Sequence, residues 1–159
     1  PFEETVNIGP LARLDLAEKL KSQVDISLQQ GAEMLMNGTF NQCNVTPMVL
    51  GNVQPGMPAF DAELFGPVFS LIKVSNADEA IALANNHRYG LGASIWSSDI
   101  NQAKRIALQM ESGNVYINTL VKSDPRLPFG GTKKSGYGRE LSVMGAREFT
   151  NAKTIYIRN

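Results

Sequence analysis

The feature that most constrains this sequence is a regular alternation of strand-like and helix-like segments in its middle part. Strands are predicted at 68–74, 91–97 and 114–118, and helices at 77–86 and 99–111. Strands that alternate with helices of this length predict right-handed crossovers and a parallel sheet, and so an α/β fold. Because ligands bind at the carboxyl ends of parallel strands, we expect a binding site near Asn118 and the loop after it.

The part of the chain before this alternation is predicted to be one long helix followed by irregular chain. Apolar residues recur every four positions from Leu16 to Leu28, with Pro10 before them and Gly31 after them. The stretch that follows is rich in glycine, asparagine and proline, which is typical of loops. The predicted elements are a helix over 10–30, a strand at 34–36, and a loop over 37–58 with a short edge strand at 48–50.

The last part of the chain is predicted to hold few regular elements. A segment rich in glycine, lysine and proline runs from Ser123 to Gly138, and a helical turn is expected over 140–147. The β-prone residues 154–157 have no local hairpin partner. Such a strand must pair in its own sheet or on a neighbouring subunit.

The composition excludes several classes of protein. The 159 residues include 15 basic and 15 acidic side chains and 43% apolar residues, which is typical of one globular domain without a nucleic-acid surface. No apolar run reaches the roughly 20 residues that span a bilayer. A single cysteine, Cys43, and a single histidine, His87, cannot build a zinc cluster. We expect a cytoplasmic protein without nucleic-acid, membrane or metal partners, and the start at Pro1 suggests a segment of a longer chain.

The glycine-rich segment 130–138 invites comparison with phosphate-binding loops. A P-loop needs Lys and then Ser or Thr after its last glycine, whereas Tyr137 follows Gly136. A dinucleotide fingerprint needs a third glycine at the position of Leu141. A tight turn that crosses neighbouring backbone is therefore favoured.

Glu63 and Phe65 precede a predicted strand in the run Glu63-Leu64-Phe65-Gly66-Pro67. The carboxylate of Glu63 could accept hydrogen bonds from vicinal hydroxyls while the Phe65 ring packs on a planar ligand. From the residues alone, a solvent-exposed Glu63 beside a core Phe65 is the favoured interpretation.

Six ordered motifs lie along essentially the whole chain. They are Glu63 to Val68, Asn86 to Leu91, Gly113 to Asn118, Pro128 to Gly131 with Lys133 or Lys134, Ser135 to Glu140, and Glu148 to Thr150. Together they resemble the motifs of the NAD(P)-dependent aldehyde dehydrogenases. The match corresponds to the carboxy-terminal part of a much longer enzyme. The run Ser123-Asp124-Pro125-Arg126 and Lys133 to Gly136 look most like the bacterial succinate-semialdehyde dehydrogenases.

The resemblance implies a reaction for which this chain holds only some of the residues. In the family a cysteine thiolate attacks the aldehyde, a hydride passes to NAD or NADP, and a glutamate activates the hydrolytic water. These catalytic residues lie upstream of the motif at Glu63, and Cys43 falls in a different family segment. The 159 residues alone are therefore expected to be inactive.

The resemblance also assigns roles to residues that are present. Glu63 would bind the nicotinamide ribose and Phe65 would contact the nicotinamide, which reverses the interpretation reached from the residues alone. Phe129 would line the substrate pocket, Ser123 would donate to a substrate carboxylate, and Arg126 could supply the opposite charge. Asp124 would repel that carboxylate unless it is turned away.

The sequence thus predicts an α/β fold with a parallel sheet and flanking helices. Residues 1–150 would belong to the catalytic domain of an aldehyde dehydrogenase, and 151–159 would hold an oligomerisation strand, whose residues 153–157 join subunits of a homo-oligomer. Two alternatives stay open: a non-catalytic binding or structural module of the same fold, and an aldehyde dehydrogenase with another aldehyde substrate.

Overall fold

The computed structural model describes residues 4–159, which form two compact units divided in sequence between Lys73 and Val74. The first unit begins with a long helix and continues with short strands. Its elements are α1 (Leu14–Gln29), β1 (Glu33–Met36), β2 (Phe40–Asn41), β3 (Asn44–Val45), β4 (Met48–Gly51), α2 (Pro58–Asp61) and β5 (Val68–Ser70).

β4 is the central strand of a three-stranded sheet in the first unit. It pairs antiparallel with β1 and parallel with β5. Its Met48 and Leu50 are 1% and 0% exposed and belong to one apolar core with Leu20 of α1. The prediction of an edge strand at 48–50 is therefore wrong. The prediction rested on the glycine, asparagine and proline around this run, but Pro47 lies just before the strand, where its missing N–H removes no ladder hydrogen bond.

α1 confirms the helix expected from the four-residue apolar spacing, with a later start. It begins at Leu14 because Arg13 has extended backbone, and the Arg13 guanidinium pairs with Asp15 in the first turn at 2.7 Å. Gly31 follows the helix with a φ of 106°, a left-handed conformation that favours glycine.

The second unit contains the remaining described elements. They are α3 (Ala77–Asn85), β6 (Tyr89–Gly90), β7 (Gly92–Ile95), α4 (Ile100–Ala107), β8 (Asn114–Ile117), β9 (Thr132–Lys133) and α5 (Ser142–Glu148). β7 and β8 pair parallel across α4, while β6 and β9 pair antiparallel. The helical turn predicted at 140–147 is confirmed as α5.

The alternation predicted from the sequence is present, but its strands do not form one parallel sheet in the described residues. The predicted strand at 68–74 is only Val68–Ser70, and it pairs with β4. The strands predicted at 91–97 and 114–118 pair parallel with each other as β7 and β8. Local periodicity identified the elements, whereas pairing partners depend on contacts between distant segments. The fold is α/β, with a mixed sheet in the first unit.

Side-chain caps explain where α3 and α4 begin. The Asn76 side chain accepts a hydrogen bond from the Glu79 N–H, and the Glu79 carboxylate accepts one from the N–H of Ser75, the residue before the cap. The Asp99 side chain caps α4 through the N–H of Gln102. No helix within residues 4–159 has the length and apolar character needed to cross a membrane.

The carboxy-terminal residues 151–159 contain no regular secondary structure. Ile155, Tyr156 and Ile157 are 78%, 82% and 79% exposed. The expected strand at 154–157 thus has no pairing partner within residues 4–159. Its pairing with a neighbouring subunit, and the division into 1–150 and 151–159, stay predictions.

Candidate functional site

The loop that carries Glu63 and Phe65 is anchored on α1. The Gln23 side-chain amide donates a hydrogen bond to the Glu63 carbonyl at 3.2 Å. A Cβ on Gly66 would overlap the side chain of Leu20, so the loop packs against the helix at a position that only glycine fits. Contacts at Glu63 and at Gly66 therefore hold the backbone of this loop against α1.

Both side chains expected to bind the cofactor point outward from this anchored loop. Glu63 is exposed, and Phe65 is 66% exposed. Leu64, between them, packs against the apolar core of the first unit. The interpretation of Phe65 as a core residue is therefore wrong, because Leu64 takes the inward position. An exposed carboxylate beside an exposed ring suits the hydroxyls and flat face of a nucleoside ligand.

The loop after β8 carries the residues expected at the substrate. Asn118 directly follows the strand with a φ of 55°, and its side chain bonds the Ser97 backbone as donor and acceptor, both at 2.9 Å. The Tyr116 hydroxyl donates to the Lys122 carbonyl at 2.5 Å. Ser123 follows directly and is exposed.

Asp124 and Arg126 form an ion pair within this loop. The Arg126 guanidinium donates to both carboxylate oxygens, at 2.9 and 2.6 Å, and its backbone N–H donates to Asp124 at 2.9 Å. The guanidinium hydrogen bond is the main reason that the pKa of the Asp124 carboxyl lies well below its usual range. The charge of Asp124 is thus paired with that of Arg126.

Phe129 lies beside a cleft of about 410 Å³ in the second unit. Its backbone exchanges both hydrogen bonds with Glu140, at 2.9 and 2.8 Å. The buried Asn114 side chain donates to the carbonyls of Gly130 and Leu91, both at 2.8 Å. The segment that bears Phe129 is therefore tied both to β8 and to the chain before α5.

The glycine-rich segment 130–138 is a tight turn, as predicted. Its backbone amides are used internally: the N–H groups of Lys134, Ser135 and Gly136 donate to carbonyls of the second unit at 2.9 to 3.3 Å. A Cβ on Gly113 would overlap the Gly130 carbonyl, so the two backbones lie in direct contact. Amides engaged in this way do not cradle a phosphate.

The single cysteine lies away from these loops in sequence. Cys43 is in the turn between β2 and β3, where it is half-buried, and its carbonyl accepts a hydrogen bond from Leu11. Within residues 4–159, no three His, Cys, Asp or Glu side chains are grouped closely enough to hold a metal ion.

The structure places the predicted site residues in two separate groups. Glu63 and Phe65 share one loop of the first unit, and Ser123, Arg126 and Phe129 share the chain between β8 and β9 of the second. Sequence reasoning missed the anchoring side chains Gln23, Tyr116 and Asn114. Each one bonds a backbone carbonyl, an interaction that leaves no pattern in the sequence.

Comparisons with known proteins agree with the motifs. The sequence matches the aldehyde dehydrogenase family over residues 1–155. It is 44% identical to a succinate semialdehyde dehydrogenase of Escherichia coli strain K12 that is named for NAD(P)+, over 98% of this chain and 34% of that protein. It is 43% identical to an NADP+ succinate-semialdehyde dehydrogenase of Deinococcus radiodurans, over 98% and 33%. The chain thus spans about a third of the length of these relatives.

Solved structures give the same result for the fold. The succinic semialdehyde dehydrogenase of Streptococcus pyogenes, solved with NADP+, superposes with a TM-score of 0.92 at 38% identity and covers 99% of this chain and 35% of its own. A salicylaldehyde dehydrogenase from Pseudomonas putida G7 has a TM-score of 0.87 at 33% identity over 92% of this chain and 30% of its own. The chain belongs to the aldehyde dehydrogenase family.

Proposed function

We propose that the 159 residues are the carboxy-terminal part of an NAD(P)-dependent aldehyde dehydrogenase that oxidises succinate semialdehyde to succinate. The observation that carries the proposal is the 44% identity to the E. coli succinate semialdehyde dehydrogenase over nearly the whole chain. The chain covers only 34% of that relative. In this proposal the cysteine nucleophile and the general-base glutamate belong to the other parts of the enzyme. The chain alone is then without turnover.

In this proposal Glu63 and Phe65 bind the nicotinamide end of the cofactor. When bound, NAD(P)+ supplies the hydride acceptor of the oxidation. Glu63 accepts hydrogen bonds from the ribose hydroxyls, and Phe65 contacts the nicotinamide. The exposure of both side chains on a loop whose backbone is fixed by Gln23 supports this role, since a held backbone loses little freedom on binding.

Ser123 recognises the distal carboxylate of the substrate as a neutral donor. Arg126 contributes by neutralising Asp124, whose free charge would repel the substrate. Phe129 lines the pocket beside the aldehyde chain. The pairing of Asp124 with Arg126 at 2.6 Å supports this arrangement, because it leaves the neighbourhood of Ser123 without a free negative charge from Asp124.

A different aldehyde is the second candidate. The fold is shared with the salicylaldehyde dehydrogenase and with a betaine aldehyde dehydrogenase of Staphylococcus aureus, which has a TM-score of 0.86 at 31% identity. Substrate choice within one fold depends on pocket contacts. The residue that separates the two candidates is therefore Ser123.

The test compares two aldehydes of similar length in the full-length protein. Ser123→Ala should raise the KM for succinate semialdehyde about tenfold and leave the KM for butanal, which lacks the carboxylate, unchanged. Ser98→Ala, at another exposed serine, is the matched control and should change neither. An equal loss on both aldehydes contradicts the carboxylate role.

A second pair of variants tests the cofactor role. Glu63→Gln should raise the KM for NAD(P)+ about tenfold, because the amide accepts the ribose hydroxyls less strongly than the carboxylate. Glu18→Gln, at an exposed position of α1, is the control. An unchanged KM for NAD(P)+ in Glu63→Gln refutes the assignment of Glu63.

A further inference from the structure

Ser123 lies between two neighbours that are both fixed in place. On one side the Lys122 carbonyl accepts the Tyr116 hydroxyl, and on the other the Asp124 carboxylate accepts the Arg126 backbone N–H at 2.9 Å. The exposed Ser123 is therefore held through the residues next to it. We call these two hydrogen bonds the Tyr116 tether and the Asp124 tether. Neither is required by the roles proposed above for Ser123, Arg126 and Phe129.

The Tyr116 tether connects the loop to regular structure. Tyr116 is half-buried in β8, opposite Ser94 of the parallel partner β7. Its hydroxyl reaches past the strand end to the carbonyl of Lys122. This hydrogen bond from a strand residue restricts the positions that the backbone before Ser123 can adopt.

The Asp124 tether connects the other side of Ser123 to α5. The Asp124 carbonyl accepts the Leu127 N–H at 2.9 Å, which closes a turn, and the carboxylate holds Arg126 within that turn. The Pro125 carbonyl accepts the N–H of Ser142, the first residue of α5, at 3.0 Å. The backbone after Ser123 is thus fixed by a charged hydrogen bond and by a helix start.

We propose that Tyr116 and Asp124 are positioning residues that set the preference of the enzyme for an aldehyde with a distal carboxylate by holding Ser123 in place. The inference rests on the proposed function, because it acts through Ser123. A donor that is already positioned loses less conformational entropy when it binds the carboxylate, so its loss should raise the KM for that substrate alone. Asp124 would then affect substrate binding by fixing the backbone around Ser123, while its charge is paired with that of Arg126.

The test measures kcat and KM in the full-length protein for succinate semialdehyde and for butanal. Tyr116→Phe and Asp124→Ala, which removes the acceptor of the Arg126 N–H, should each raise the KM for succinate semialdehyde about tenfold, with kcat, the KM for butanal and the KM for NAD(P)+ changed less than about twofold. Tyr89→Phe is the control for the lost hydroxyl. Asp78→Ala, at an exposed position of α3, is the control for the lost carboxylate.

A second measurement asks whether the effect passes through Ser123. In a Ser123→Ala background, Tyr116→Phe should produce no additional rise in the KM for succinate semialdehyde. A full additional rise, or an equal loss on both aldehydes, overturns the positioning role. If Asp124→Ala does not fold, Tyr116→Phe decides the result.

Failure of the proposed function and failure of the positioning role give different results. If Ser123→Ala alone leaves the preference between the aldehydes unchanged, carboxylate recognition by Ser123 fails, and the inference is overturned with it. If Ser123→Ala removes the preference but Tyr116→Phe and Asp124→Ala do not change it, only the positioning role is overturned.

Discussion

Asn114 offers a strong test of how the second unit is held together. It is 8% exposed, and its side-chain nitrogen donates to the carbonyls of Leu91 and Gly130, both at 2.8 Å. Asn114→Asp keeps the shape but removes both donors and points a carboxylate at two carbonyl oxygens. Each buried acceptor that loses its donor costs about 1–3 kcal/mol, so we expect the free energy of unfolding to fall by about 2–4 kcal/mol.

Urea unfolding of the full-length protein measures this change, with Asn101→Asp on the exposed face of α4 as the matched control. The control should change the free energy of unfolding by less than about 0.5 kcal/mol. The surroundings of the new carboxyl raise its pKa. The loss of unfolding free energy in Asn114→Asp should therefore be largest above that pKa, and it should be smaller in acid, where the protonated carboxyl provides one O–H donor. A loss no larger than that of Asn101→Asp at neutral pH would refute the structural role of the two hydrogen bonds.

Three further predictions follow from the packing, the ion pair and the chain end. Gly66→Ala should lower the free energy of unfolding, measured in urea, by about 1–3 kcal/mol, because its Cβ overlaps the buried Leu20. In a Leu20→Ala background, Gly66→Ala should lower it by less. The lowered pKa of Asp124 means that its pairing with Arg126 stabilises the fold fully above the usual pKa of 3.8 and is lost as the pH falls through the lowered pKa. The difference in urea midpoint between wild type and Asp124→Asn should therefore be larger at pH ~7 than at pH ~2, and an unchanged difference contradicts it. Deleting 153–159 should reduce the mass of the assembly in light scattering, and an unchanged mass contradicts the expected oligomerisation strand.

Elements with a strong local signal were predictable from the sequence. The apolar spacing of α1 and the helical turn at α5 both depend on residues within a few positions of each other. Pairing was not predictable to the same degree. The run 48–50 lies in a stretch rich in glycine, asparagine and proline, which predicted an edge strand, but its place between β1 and β5 makes it central. That outcome depends on segments that are distant in the sequence.

The candidate site shows the same division. Composition and spacing favoured Phe65 as a core residue, and only the resemblance to the family assigned it to the cofactor. Its exposure follows from Leu64 taking the core position, a choice between neighbouring apolar residues that the sequence alone does not settle. The tether from Tyr116 was not predictable, because its hydroxyl bonds a backbone carbonyl six residues away. A tyrosine in a strand is equally consistent with a core residue.

The measurement that tests the central claim most directly is the initial rate of NAD(P)H formation by the full-length protein with succinate semialdehyde, compared with butanal. The account predicts turnover of both aldehydes, with kcat/KM for succinate semialdehyde higher by about tenfold or more. The absence of aldehyde-dependent NAD(P)H formation would contradict the proposed activity, and equal kcat/KM values would contradict the proposed substrate.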